Sequence, residues 1–152
     1  MATGDFTIFE EFTTDLGTEV HNLSSDVLKF GIIDNTTPPT AADATPTWSD
    51  YSANEISTGG GYTGPVTLTD VTYTEASGTA TLAGDSFTIS SNASGQASTT
   101  AWGILYNETA ASDQAIGFFE LGTIDITAGD VIIKFNNVAS GSPGTIFTVA
   151  VV

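Results

Sequence analysis

Few side chains in this sequence have the types and spacing that catalysis requires. His21 is the only histidine, and the chain contains no cysteine. A Ser-His-Asp arrangement needs a histidine as its general base, but no Gly-x-Ser-x-Gly turn is present to offer a nucleophile. Because His21 lies between a predicted helix and a predicted strand, we interpret it as a capping or hydrogen-bonding residue at that junction.

Carboxylates are abundant, but their spacing does not indicate hydrolysis. Glu10 and Glu11 are adjacent and would point in different directions on a helix, whereas glycoside hydrolysis needs two facing carboxyl groups. The run Gly59-Gly60-Gly61 lacks the Gly-Lys-Ser/Thr of a phosphate-binding loop and is predicted to be a turn. We therefore expect no enzymatic activity and no cofactor.

Calcium is the one ion for which the sequence offers many oxygen ligands, although none of the aspartates has the spacing of an EF-hand loop. A structural Ca²⁺ site is thus a minor alternative. The aspartates considered for it are Asp26, Asp34, Asp43, Asp50, Asp70, Asp85, Asp113, Asp125 and Asp130.

The charge balance excludes some classes of partner. Eighteen carboxylates oppose two lysines, which gives a net charge of −16 at pH 7. Nucleic acids are bound through cationic surfaces, so neither a nucleic acid nor an anionic membrane is an expected partner. The acidity favours solubility and mutual repulsion of free copies, and a basic partner surface is the remaining alternative.

Length and composition predict one all-β domain spanning 1–152. The chain is rich in threonine and glycine, which suit strands and turns. One helix is predicted within 6–23, where Phe9, Phe12 and Leu16 recur at helical spacing, and Gly17 indicates an end near residue 16. We expect an antiparallel β-sandwich, jelly-roll or immunoglobulin-like, with an N-terminal arm or helix over about 1–20.

The strand pattern begins in the second quarter of the chain. From Asp26 to Ile33 apolar residues alternate, which predicts a strand with Leu28, Phe30 and Ile32 in the core. A bulge is predicted near Asp70, and a hairpin turn is predicted at 83–85. The other predicted strands are 66–74, 79–82, 86–90, 102–107, 116–121, 131–135 and 145–151. The core residues predicted in the last two are Val131, Ile133, Phe135, Phe147, Val149 and Val151.

A long loop is predicted over 36–65, bracketed by prolines and unusually aromatic. Loops of this length in compact domains are commonly functional. Trp48, Tyr51 and Tyr62 either hold the loop against the sandwich or anchor a subunit contact. Lys29 and Lys134 are each expected to have an acidic neighbour. The interface candidates are Phe6, Phe9, Trp48, Tyr51, Tyr62 and Lys29.

Several short motifs, spread over nearly the whole chain, resemble those of small structural proteins of tailed bacteriophages. The motifs are Phe9-Glu-Glu-Phe12, His21-Asn-Leu-Ser-Ser-Asp-Val-Leu-Lys29, Gly60-Gly-Tyr-Thr63, Gly103-Ile-Leu-Tyr-Asn-Glu-Thr109 and Ala115-Ile-Gly-Phe-Phe-Glu-Leu-Gly122. The resemblance implies a non-enzymatic virion component, assembled in the host cytoplasm and located on the capsid surface.

Within that class the resemblance favours a head decoration, or cement, protein that binds the major capsid protein as a homo-oligomer, with a trimer favoured. The capsid contacts are then expected in the arm 1–9 and in the loop 36–65. A tail or fibre component of the same virion is the first alternative. A carbohydrate-binding β-sandwich module is the second, and it would require exposed rings such as Trp48, Tyr51 and Tyr62.

Overall fold

The computed structural model describes residues 4–56, 61–136 and 138–150, which form antiparallel sheets with only short helices. The prediction of an all-β, sandwich-like fold is confirmed. The strands are β1 Phe6–Ile8, β2 Leu28–Ile33, β3 Val66–Thr67, β4 Thr72–Ala76, β5 Thr79–Asp85, β6 Phe87–Ile89, β7 Ala97–Asn107, β8 Ala115–Asp125, β9 Val131–Ile133 and β10 Pro143–Ala150. The helices are α1 Phe12–Gly17 and α2 Trp48–Tyr51, and a 3₁₀ turn follows at Ser52–Asn54.

One five-stranded sheet, in the order β1-β8-β7-β2-β3, forms the centre of the structure. A three-stranded sheet, β10-β5-β4, and a two-stranded sheet, β6-β9, pack against one of its faces. Phe30 of β2 lies in this interface, where its ring contacts those of Phe87, Phe119 and Phe135. This layer is the main hydrophobic core.

The opposite face of the five-stranded sheet is also covered, by the segment that contains α2. Trp48 and Tyr51 pack there with Phe9 and with the sheet residues Ile104 and Phe118. The interior strand β2, which lies between β7 and β3, is therefore buried on both faces, and this explains its nearly continuous apolar sequence. The long loop of the sequence forms a third layer of the fold.

The Trp48 side chain fits against β2 because residue 31 is a glycine. The Trp48 ring stacks on Tyr106, with the ring centroids 5.2 Å apart and the planes 5° from parallel. A Cβ atom at position 31 would overlap the six-membered ring of Trp48. The same relation recurs between Gly103 and the Phe30 ring on the other face of the sheet.

The N-terminal prediction is wrong in part. Phe6–Ile8 is a strand that pairs with β8, in the register Phe6 to Phe119, and the helix α1 covers only Phe12–Gly17. The stripe of aromatic residues nevertheless marks buried positions, because Phe9 and Phe12 both lie in the interior. Pairing with the β8 edge outweighs the helical spacing before residue 9, and the predicted end near residue 16 is confirmed.

The hairpin predicted at 83–85 is wrong. Strand β5 continues through these residues to Asp85, and its hairpin partner is β4, joined by the turn at Ser77 and Gly78. Asp70 has a φ of 48° and marks a break between two strands where a bulge was predicted. At this break the chain passes from the five-stranded to the three-stranded sheet.

The core prediction for the last two strands is largely right. Ile133, Phe135 and Phe147 are buried, and Val131 is partly buried against the core. Val149 is exposed because β10 extends past the end of the core, and Val151 lies outside the described residues.

Replacing Gly31 with alanine tests the fit between Trp48 and β2. The new methyl group would displace the indole ring, so Gly31→Ala is expected to lower the free energy of unfolding by about 1–3 kcal/mol. Gly129→Ala is the matched control, because nothing lies within 4 Å of a Cβ there. Urea denaturation followed by circular dichroism measures both.

The clash explanation also predicts non-additivity. In a Trp48→Ala background, Gly31→Ala should cost much less, because the ring it displaces is gone. Equal costs in the two backgrounds would contradict the role assigned to Gly31.

Candidate functional site

The most elaborate polar arrangement in the described structure surrounds His21, at the junction between α1 and β2. The imidazole is fully buried, with its ring 5.3 Å from that of Phe12. Its Nε2 lies 3.6 Å from Asp15 Oδ2, without a hydrogen bond to it. The prediction that His21 is a junction residue is confirmed.

Asn107, at the end of β7, connects this junction to the sheet. Its amide nitrogen lies 3.1 Å from His21 Nδ1 and donates hydrogen bonds to Asp26 Oδ2, at 2.7 Å, and to the Val20 carbonyl, at 3.3 Å. Its amide oxygen accepts hydrogen bonds from the backbone N–H groups of residues 109 and 110. Asn107 thus ties the 20–26 segment to the β7–β8 turn.

These contacts determine the tautomer of His21. A flipped Asn107 amide would place its oxygen against the Asp26 carboxylate and its nitrogen against the backbone N–H of Thr109, and both hydrogen bonds would be lost. The amide nitrogen therefore faces the imidazole. Because this nitrogen carries only donors, an unprotonated Nδ1 is the form that suits the contact, and the proton of the neutral ring then resides on Nε2, toward Asp15.

Burial lowers the pKa of His21, and the nearby carboxylates of Asp15 and Asp26 offset only part of this effect. Protonation of Nδ1 would place an N–H against the amide nitrogen of Asn107. The ring is thus held neutral and out of contact with solvent, and its Nδ1 lone pair is already engaged. The geometry suits a structural role, and it gives His21 no hydroxyl nucleophile to activate.

Asn107 is the residue of this site that sequence reasoning missed. It belongs to the Asn-Glu-Thr motif quoted above, but a single asparagine near the end of a strand carries no pattern that indicates its partners. Its contacts with His21 and Asp26 span 86 and 81 residues of sequence. Only a three-dimensional arrangement brings these groups together.

Two tyrosines hold the 36–65 segment in place through their hydroxyl groups. Tyr62 donates to Glu55 Oε1 at 2.7 Å and accepts from the backbone N–H of Ile32 at 2.9 Å. Tyr51 donates to Asp43 Oδ2 at 2.7 Å. Burial raises the pKa of both tyrosines, and the carboxylate that each contacts raises it further.

The pKa values of the two carboxylates that accept from these tyrosines are shifted in opposite directions. Burial raises the pKa of Glu55, although the hydrogen bond from Tyr62 acts the other way. For Asp43 the hydrogen bonds from Thr40 and Tyr51 outweigh the effect of burial, so its pKa is lowered. Both pairs keep buried or partly buried polar groups satisfied inside the covering layer.

Most of the aromatic interface candidates lie inside the chain. Phe9, Tyr51 and Tyr62 are buried, and Trp48 is nearly so. Phe6 is partly buried and stacks on Phe147, with the ring centroids 5.3 Å apart. Of the two roles considered for the loop rings, holding the loop against the sandwich is the one the structure shows, and their part in a subunit contact stays a prediction.

Lys29 has the acidic neighbour that was predicted, because its ammonium group contacts the carboxylate of Glu108. This pair joins β2 to the turn after β7, beside Asn107. The side chains are partly exposed, so the pair contributes only about 0–1 kcal/mol. Lys134 is exposed and has no ion pair within the part of the chain that the structure describes.

The carboxylates considered for calcium do not converge. Within residues 4–56, 61–136 and 138–150, no group of three or more histidine, aspartate or glutamate side chains could hold a metal ion. Over the same residues, no helix has both the length and the apolar character that a membrane span requires.

Comparisons of the chain with protein-family models, curated proteins and solved structures found no match.

The neutral His21 predicts a loss of stability in mild acid. Because the folded-state pKa lies below the ordinary value of about 6.5, the unfolded chain binds the proton more tightly. The stabilisation is complete above about pH 6.5 and is lost as the pH falls through the folded pKa. Urea unfolding between pH 8 and 5 should show a steeper decline for the wild type than for His21→Gln.

The glutamine variant cannot titrate at this position, so the difference between the two curves isolates His21 from the many carboxylates. Parallel curves over this pH range would contradict the neutral, buried imidazole.

Tyr62→Phe tests the attachment of the covering layer to β2. Removing the hydroxyl leaves the Ile32 N–H and the Glu55 carboxylate without their partner, at an expected cost of about 1–3 kcal/mol in unfolding free energy. Tyr73→Phe is the control, since no described hydrogen bond involves the partly exposed Tyr73 hydroxyl. A cost for Tyr62→Phe no larger than for the control would contradict this role.

Proposed function

We propose that this chain is a non-enzymatic structural protein of a tailed-bacteriophage virion, which decorates and stabilises the head by binding the major capsid protein. It acts as a homo-oligomer, with a trimer favoured. The proposal rests first on the resemblance of the sequence motifs to small phage structural proteins.

The observation that carries the proposal is that four of those motifs occupy one continuous unit of the fold. The Phe9–Phe12 and 21–29 motifs contact the 103–109 and 115–122 motifs, which form the paired strands β7 and β8. Phe9 packs on Phe118, with ring centroids 5.1 Å apart, and His21 meets Asn107. Packing of these motifs against one another supports the interpretation that they are parts of one scaffold.

The packing of the chain suits a cement protein. The five-stranded sheet is buried on both faces, and the long loop is attached by Trp48, Tyr51 and Tyr62. Close packing of this kind is what we expect of a protein that reinforces a shell. Its net charge of −16 keeps free copies apart before assembly, and the lack of cysteine suits assembly in a reducing cytoplasm.

The burial of the loop rings also affects the alternatives. A carbohydrate-binding module needs exposed aromatic surfaces, and the three rings considered for that role are engaged in the interior. No described feature favours the tail over the head. The copy-number measurement below distinguishes a tail or fibre component from a head protein.

Copy number in purified particles tests the proposal. A cement protein should be present in numbers close to those of the major capsid protein, measured by quantitative mass spectrometry. Particles lacking the protein should lose their DNA at a lower temperature, and adding back purified protein should restore the original value. A few copies per particle, or heads whose heat resistance is unchanged without it, would contradict the proposal.

The add-back assay also locates the contact. Ala44 is an exposed residue of the 36–65 segment, whereas Ala93 is equally exposed in a different loop. If the 36–65 segment binds the capsid, Ala44→Arg should weaken head binding by about tenfold or more, and Ala93→Arg should not. Equal binding of both variants would remove this segment as the capsid contact.

A further inference from the structure

β10 forms one edge of the three-stranded sheet. β10 pairs with β5 on one side, in a regular register from Phe147 to Ala150. On its other side, residues 147–150 have no backbone partner within the described part of the chain. An unpaired strand edge offers a row of N–H and C=O groups that a further strand can complete.

The consecutive exposed residues of β10 lie in its C-terminal half. At the start of the strand, Gly144 is buried, and a Cβ atom there would overlap the backbone of Phe135. Farther along, Thr148, Val149 and Ala150 are all exposed, and Val149 retains 42% of its accessible surface. The available surface is therefore a short, open β-strand of small and β-branched residues.

This edge carries no charge in a chain that is otherwise strongly acidic. No charged residue occurs from Phe135 to Val152, although the whole chain carries eighteen carboxylates. The opposite edge of the same sheet, β4, contains Glu75, and β9 is flanked by Asp130 and Lys134. Natural edge strands commonly carry charges that prevent pairing with other chains. The edge strands β1, β3 and β6 lack such charges as β10 does, but among these described strands only β10 also presents consecutive exposed residues, at 148–150.

We propose that a second copy of this chain docks on the β10 edge, through strand pairing at residues 147–150. A second copy is the occupant that the charge distribution favours. Two molecules of charge −16 repel each other, and an uncharged edge lets their backbones approach without bringing carboxylates together. A basic partner would gain nothing from this edge and would be drawn to the acidic surfaces elsewhere.

This inference deepens the proposed function, because it names one contact between copies of the chain. Pairing of β10 with β10 uses the same edge in both copies, so it closes as a two-fold dimer and not as the trimer favoured above. It does not depend on a capsid, since self-association can be measured with the purified protein alone. A protein that self-associates through β10 but leaves phage heads unaffected would support this inference and contradict the proposed function. A protein that binds phage heads but stays monomeric would contradict this inference and support binding of the head.

Val149→Glu tests the contact directly. In the paired edge it places a carboxylate from each copy at the contact, so the dissociation constant should rise by about tenfold or more. Val27→Glu is the matched control, because Val27 is 44% exposed and lies outside β10. Val149→Thr, which stays uncharged and β-branched, should retain association.

Sedimentation equilibrium and native mass spectrometry of the purified proteins provide the measurement, and circular dichroism verifies that each variant is folded. Dissociation of a wild-type dimer by Val149→Glu alone would support the proposal, whereas a wild-type trimer would contradict the pairing of β10 with β10. A wild type that stays monomeric up to about 100 μM would overturn it. Equal association of Val149→Glu and Val27→Glu would overturn it as well.

Discussion

The packing of Trp48 over Gly31 is the contact on which the arrangement of this protein depends. It covers the outer face of β2, so that this interior strand is buried on both sides. Trp48 packs there together with Tyr51 and Phe9 over Ile33, Ile104 and Phe118. Covering that surface stabilises the sheet through the apolar area removed from solvent, at roughly 25 cal/mol per Å².

Polar contacts determine the positions of the 36–65 segment and of the His21 junction, which apolar packing alone does not define. Tyr62 bonds to the backbone of β2 itself, and Asn107 connects the segment before β2 to the turn after β7. Each replaces water around a buried group with a defined partner, which contributes modestly when satisfied and costs more when broken. These bonds set the positions of the loop and of the junction, whereas the hydrophobic contacts supply most of the free energy.

The distribution of charge gives the surface its character. Carboxylates are spread over the strands and loops, and they repel free copies and any polyanion. Against that background β10 is an uncharged and exposed strand edge, and we have proposed that two copies meet there because no carboxylates are brought together. The proposed decoration role has a different basis, the packing of the shared motifs into one unit of the fold.

The sequence by itself determined the β class, the core positions of β2 and the end of α1. It also indicated that Lys29 has an acidic neighbour, although not that this neighbour is Glu108. These features follow from the spacing of apolar residues along the chain and from its composition, both of which can be read directly from the sequence. Tertiary structure decided the rest. Phe6–Ile8 became a strand because the edge of β8 lay beside it, and β5 ran past the predicted hairpin at 83–85 because β10 paired along it. His21 contacts Asn107, which lies 86 residues away in the sequence, and it has the structural role of a buried, neutral imidazole and not that of a general base. Partners so distant leave no trace in local spacing, because packing alone brings them together.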